Sequence, residues 1–191
     1  MNCHLSHGKD NVHKRFEELK LIFNRIGKDD ISIMGHDIKF LYGDLNFRID
    51  LDTTCQLIKD NKLDEMLIND QLLSQSHKYN LPILNEAPIL FPPTYKFIPK
   101  TSEYNLSKRP PAWCDRILWF NNDPVKFIAY DYIPSLCFSD HKPIYGIYLV
   151  TVQKNQKEES SFMQEEVKVD HKEAIESCDL RDTQGKSIKC W

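Results

Sequence analysis

Residues 108–120 read KRPPAWCDRILWF. Two cations and two prolines stiffen the chain just ahead of Asp115, and the apolar run ILWF follows Arg116. Proline fixes φ and drives the residue before it into extended backbone, so the segment arrives extended and the apolar run reads as a strand. A surface turn needs no such setting, whereas an acid delivered at the mouth of a strand does. Outward from this point, DIKFLYGD (37–44) reads as a strand closed by a Gly-Asp turn. PVKFIAY (124–130) and PIYGIYLVTV (143–152) read as two more strands. NVHKRFEELKLIFNRIG (11–27) places Phe16, Leu19, Ile22, Phe23 and Ile26 at helical spacing, with Gly27 as a stop. Residues 53–75 read as two short helices, the second opening near Asn61. PILFPPTYKF (88–97) is extended because its prolines forbid a helix. The mixture implies a layered α/β (α+β) domain.

Composition narrows the class. The 191 residues are 41% hydrophobic and 28% charged with a formal net charge of -3, which suits one globular domain of residues 1–152 and excludes fibrous and collagen-like classes. No apolar run approaches the ~18 residues that a bilayer crossing needs. The near-neutral balance argues against a nucleic-acid binder. MNCHLSHGKD carries no secretory pattern, and the six scattered cysteines read as reduced thiols of an intracellular chain. From Gln153 onward the chain is rich in Lys, Glu, Gln and Ser; residues 153–191 read as a charged, disordered tail with room for one short helix over 160–168.

Four clusters carry candidate chemistry. NCHL sets Asn2 and His4 on one face of an opening strand, and GDLNFR puts Asp44 and Asn46 two apart just beyond a strand. PAWCDRIL holds Asp115, and SDHKP holds Asp140 and His141 before the last strand. Each has an ordinary reading: Gly-Asp is a common turn, Asp-His a common loop cap, and His4 an ordinary part-buried histidine. Trp113 and Trp119 read as core, and His7, His13, His36, His77 and His171 as surface. Together, three acids, an amide and two imidazoles at strand ends suit attack on a phosphorus ester: an oriented water, a cation to offset charge, and imidazoles beside the transferring oxygens. Tyr95 and Lys96, with Lys108 and Arg109, form either a grip for a second phosphate or a solvated basic loop.

GDLNFRI, FPPTYKF, KRPPAWCDRILW and SDHKPIYG, in this order, resemble the inositol polyphosphate 5-phosphatases, type II-like, of the endonuclease/exonuclease/phosphatase superfamily. The resemblance runs from Asn2 to about Val150. It implies part of a four-layer sandwich of two packed mixed β-sheets flanked by helices, with the N-terminal half of the domain missing. It also implies Mg²⁺-dependent removal of the 5-phosphate from phosphoinositide lipids or soluble inositol polyphosphates. In that reading Asp44 activates the water, and Asn46 holds it. His4 and His141 stabilise the transition state, and Asp115 orients His141. Asp140 sits by the metal. Tyr95, Lys96, Lys108 and Arg109 grip the neighbouring phosphate, and Asn2 adds a substrate contact.

Two departures from the family pattern bear on this. The loop between Tyr95 and Arg109 is shorter than usual, so Lys108 or Ser107 stands where another Lys is expected. The principal metal-binding Glu and the acid that normally pairs with His4 are absent. The implied setting is cytoplasmic, with peripheral contact at the cytosolic face of membranes. The competing readings are a non-catalytic fragment that binds phosphoinositides or a partner, and a nuclease of the same superfamily. Half a sandwich should also leave an apolar sheet face in water.

Overall fold

The computed structural model describes residues 1–24, 32–49, 54–107, 109–120 and 123–152. The Gly27 helix stop, Lys108, His171 and the tail at 153–191 with its short helix lie outside the described residues.

The first helix, α1 (Val12–Phe23), buries Phe16, Leu19 and Phe23 at the predicted spacing. A 3-10 turn at Ile33–Gly35 precedes strand β1 (Phe40–Asp44). Where two helices were expected there are three: α2 (Thr54–Lys59), α3 (Leu63–Leu67) and α4 (Gln71–Gln75). The extra break occurs at Asp70, which caps α4 by accepting from the backbone N–H groups of Leu72 and Leu73. Strand β2 (Leu84–Glu86) went unpredicted, being only three residues of Leu-Asn-Glu with no apolar alternation. The three expected C-terminal strands are β3 (Asp115–Phe120), β4 (Val125–Tyr132) and β5 (Ile144–Val150).

Strands β1, β3 and β2 form one antiparallel sheet in the order β1-β3-β2, and β4 pairs with β5 antiparallel. Alternation along β3 sends Leu118 and Phe120 to one face, where they pack with Leu41, Phe16, Leu19 and Phe23 beneath α1. Trp119 goes to the other face and meets β5 through Tyr148, with ring centroids 5.5 Å apart. Trp113 and Trp119 are both buried, as expected of core residues. His7, His13, His36 and His77 are exposed, and Cys3, Cys55, Cys114 and Cys137 are free thiols. The opening segment is less than the expected strand. A single parallel bridge joins Asn2 to Tyr42, extended by hydrogen bonds from Cys3 N to Tyr42 O and from Leu5 N to Asp44 O.

Arg116 ties these pieces together. Its fully buried guanidinium donates to Asp70 Oδ1 on the α4 cap and to both carboxylate oxygens of Glu86 on β2. Tyr130 on β4 donates to the same Glu86 carboxylate. A buried cation lacking its acids leaves several kcal/mol of desolvation uncompensated, and so does an acid lacking its cation. Arg116→Met is therefore expected to destabilise the chain by about 3–5 kcal/mol, as the removal of one partner of a buried pair does. Chemical denaturation checks this, and a loss below 1 kcal/mol would mean the network is dispensable.

The outer face of the β4–β5 pair is apolar and wet. Leu149 is 60% exposed, Ile128 57% and Ile147 43%, with Tyr145 beside them. At roughly 25 cal/mol per Å² such a face drives association when a second apolar surface is offered. The chain is accordingly expected to bind ANS strongly and to self-associate, and Leu149→Lys with Ile147→Thr to reduce both. A monodisperse, ANS-silent wild type in light scattering would contradict this.

Candidate active site

Register builds the site. β1 ends at Asp44 and β3 begins at Asp115, and the antiparallel pairing sets these two residues directly opposite each other. Residues 71 positions apart in sequence thus share one face at cross-strand distance, an arrangement that like charges normally avoid. The carboxylates share one imidazole: His141 Nδ1 lies 3.0 Å from Asp115 Oδ2, and His141 Nε2 lies 3.9 Å from Asp44 Oδ2.

His141 comes from the loop joining β4 to β5. Phe97 N donates to Asp140 O at 2.9 Å and Lys142 N to Thr94 O at 2.8 Å, so the residues flanking the imidazole are pinned to the FPPTYKF segment. Tyr95 stands against the His141 ring at 4.7 Å between centroids.

His4 meets the site through Asp44, not through the upstream acid expected to be absent. Its Nε2 lies 3.3 Å from Asp44 Oδ2. Gly43 makes this approach possible: its φ is 130°, and a Cβ there would stand 2.2 Å from Cys3 O. Only glycine tolerates both the dihedral and the contact.

The electrostatics follow from this crowding. Burial, reinforced by the Asp115 charge, raises Asp44 above the ordinary carboxylate value; the two histidines and the Asn46 N–H only partly offset it. Burial opposes the charged form of His141, but the Asp115 hydrogen bond and the charges of Asp115, Asp44 and Asp140 outweigh it and hold the imidazole above its usual range. The result is a proton-hungry carboxylate beside an imidazole that favours its cation.

The remaining predicted residues fall into two groups. Asn46 sits in the left-handed region with φ 55°, its N–H on Asp44 Oδ1 at 3.0 Å. Its side chain is buried, donating to Leu5 O and accepting from Arg48. Lys96 and Asp140 pair with each other at 2.7 Å. That pairing draws Asp140 below the usual carboxylate value, over the opposing effect of burial, and raises Lys96. Arg109 is exposed and reaches the Tyr95 hydroxyl at 3.4 Å. Asn2 lies against Gly43 and makes no hydrogen bond to the carboxylates.

Two residues escaped the sequence reading. Thr94, fully buried, donates to Asp115 Oδ2 at 2.6 Å. Arg48 lays its guanidinium over the Tyr95 ring at 4.4 Å and holds Asn46. Both lie inside quoted motifs, but nothing in their spacing announces a buried contact.

Asp44, Asp115 and His141 each offer a ligand atom, all within 4.8 Å of one another. The two carboxylates suit a hard divalent cation, which would also relieve the Asp44–Asp115 repulsion, whereas the imidazole can join them only in its neutral form. Asp140, the residue expected beside the metal, stands outside this trio and faces Lys96.

Comparison with known proteins shows the family. Residues 1–147 match the model of Endonuclease/Exonuclease/phosphatase family 2, and the chain belongs to that family. Curated proteins similar to it are named as inositol polyphosphate and phosphoinositide 5-phosphatases, and the chain spans less than a fifth of the length of the two described next. It is 34% identical over 181 residues to inositol-1,4,5-trisphosphate 5-phosphatase 1 of Schizosaccharomyces pombe, covering 92% of this chain and 16% of that protein. It is 34% identical over 176 residues to phosphatidylinositol 4,5-bisphosphate 5-phosphatase A of Rattus norvegicus, covering 78% and 17%.

Among solved structures, the inositol polyphosphate 5-phosphatase domain of SPsynaptojanin, in complex with inositol (1,4)-bisphosphate and a calcium ion, superposes with TM-score 0.71 at 36% identity. That match covers 77% of this chain and 45% of that one, so the chain spans less than half the length of the domain it matches. A Cimex nitrophorin, solved as a ferrous NO complex, shares the fold at TM-score 0.58 and 30% identity, over 70% of this chain and 47% of that one. Fold alone therefore does not name the chemistry; the carboxylate–imidazole site must.

Two outcomes follow. A raised imidazole stabilises the fold below its unfolded value, here 6.5, and that contribution drains as pH climbs through the folded value. The melting temperature should therefore fall as pH rises from 6.5 through the His141 midpoint, and His141→Gln should flatten that slope in scanning calorimetry. A raised carboxylate has the opposite bearing at neutral pH, where its ionised form is the strained one. Asp44→Asn should melt a few degrees higher than wild type at pH 7, and a lower melting point would overturn the assignment of strain to Asp44.

Proposed function

We propose that this chain carries part of the active site of a 5-phosphatase that hydrolyses the 5-phosphate of phosphoinositides or soluble inositol polyphosphates. One observation carries the reading: Asp44, with its raised proton affinity, is flanked by His4 at 3.3 Å and by the Asp115-bound His141 at 3.9 Å.

In the reaction a water oxygen bonds to phosphorus as the bond from phosphorus to the inositol oxygen breaks. Asp44 takes the water proton, a task that a carboxylate of raised affinity performs better than an ordinary one. One amide hydrogen of Asn46 remains to hold that water. His141, kept cationic by Asp115, offsets the charge that spreads over the transferring oxygens, with His4 on the other side of Asp44. The departing inositol oxygen recovers a proton from solvent.

Mg²⁺ would be held by carboxylate oxygens of Asp44 and Asp115 and would supply further charge neutralisation, with the His141 imidazolium left to the transferring oxygens. Lys96, Tyr95 and Arg109 would bind a neighbouring phosphate, which then competes with Asp140 for Lys96. The working site would be the cytosolic face of a membrane, reached peripherally; no helix among the described residues is long and apolar enough to cross one.

A second reading rests on the cations beside Tyr95, of which Arg109 is exposed: a phosphoinositide binder without turnover, acting through Lys96 and Arg109. Phosphate release from phosphatidylinositol 4,5-bisphosphate vesicles separates the two. Release that stops on chelation and in Asp44→Asn supports hydrolysis. Vesicle binding lost in a Lys96→Ala, Arg109→Ala double variant, with no release from the folded wild type, supports the binder.

A further inference from the structure

We propose that Thr94 is a positioning residue of this site, one that holds both members of the Asp115–His141 pair in mutual register. The inference rests on the hydrolase reading for its consequence in turnover, but its geometry stands independently.

Thr94 reaches the pair from two sides. Its hydroxyl donates to Asp115 Oδ2 at 2.6 Å, the length of a charge-assisted O–H···O⁻ bond. Its backbone carbonyl accepts from Lys142 N at 2.8 Å, the residue directly after His141. The side chain thus sets the acid, and the main chain sets the imidazole that the acid must meet. Thr94 itself has little freedom. It is fully buried, and the next residue, Tyr95, exchanges both backbone hydrogen bonds with Ala112, three residues before Asp115.

Asp115 requires such a tether because of where register puts it. Asp44 stands opposite, and like charges at that position push the Asp115 carboxylate to turn away. A hydroxyl donor on Oδ2 fixes the plane of the carboxylate, with Oδ1 and Oδ2 at 3.2 and 3.0 Å from His141 Nδ1. An oriented Asp115 in turn keeps the Nδ1–H of His141 pointed at it and leaves Nε2 for the reacting side. Valine copies the shape of threonine without the hydroxyl, and serine keeps the hydroxyl without the methyl.

The test compares wild type, Thr94→Val and Thr94→Ser by ¹⁵N and ¹H NMR of the His141 ring, together with phosphate release from phosphatidylinositol 4,5-bisphosphate. Wild type and the serine variant are expected to show a slowly exchanging, downfield Nδ1 proton. In the valine variant it should move upfield or exchange away. Where wild type turns over, kcat should drop about tenfold in the valine variant with KM unchanged, in the range that loss of an orienting partner costs. A valine variant with the wild-type Nδ1 signal overturns the proposal, as does a serine variant as impaired as valine. If valine does not fold, Thr94→Ala takes its place in the same comparison. If the NMR difference appears but no protein releases phosphate, the positioning role stands and the hydrolase reading of this chain fails.

Discussion

A guanidinium shut away from water organises this fold. Arg116 has no solvent to complete its hydrogen bonds, so the chain must bring acids to it: Asp70 from the cap of α4 and Glu86 from β2. Asp70 is spent twice, on Arg116 and on the first N–H groups of α4, so the helix and the ion pair depend on the same carboxylate. Tyr130 brings β4 to the same point through Glu86. Buried ion pairs add little net stability over apolar residues of equal size, but they penalise every arrangement in which a partner is missing. The network therefore selects one packing of β2, β3, β4 and α4.

That selection fixes the site, because Asp115 immediately precedes Arg116. With β3 locked, its pairing with β1 sets Asp115 opposite Asp44, and the β4–β5 loop delivers His141 between them. The cost is visible in Asp44, whose charge is penalised by burial and by Asp115. Sites that perform acid–base chemistry are assembled against such penalties, and the surrounding core supplies the stability that tolerates them.

Much of this was legible beforehand. The strand after Asp115 and the helix under Phe16, Leu19 and Phe23 followed from proline chemistry and periodicity, and the buried tryptophans and the exposed His7, His13, His36 and His77 from residue type. What went unread shares a physical cause. β2 is a strand only because β3 pairs with it, and α4 is separate only because Asp70 caps it. His4 met Asp44 through a close passage at Gly43, and Lys96 closed on Asp140 across 44 residues. Thr94 stands between proline and tyrosine with nothing local to mark it, and only burial puts its hydroxyl on Asp115.

By itself the sequence determined which residue types stand at the strand ends and which local conformations were open to them. Prolines, glycines and apolar spacing act within a few residues of themselves. Tertiary structure alone decided which acid meets which base, because those pairings are set by strand register and loop return, and their energies come from burial that no local segment possesses. Asp44 and Asp115 are ordinary carboxylates until an antiparallel ladder sets them face to face with one imidazole between.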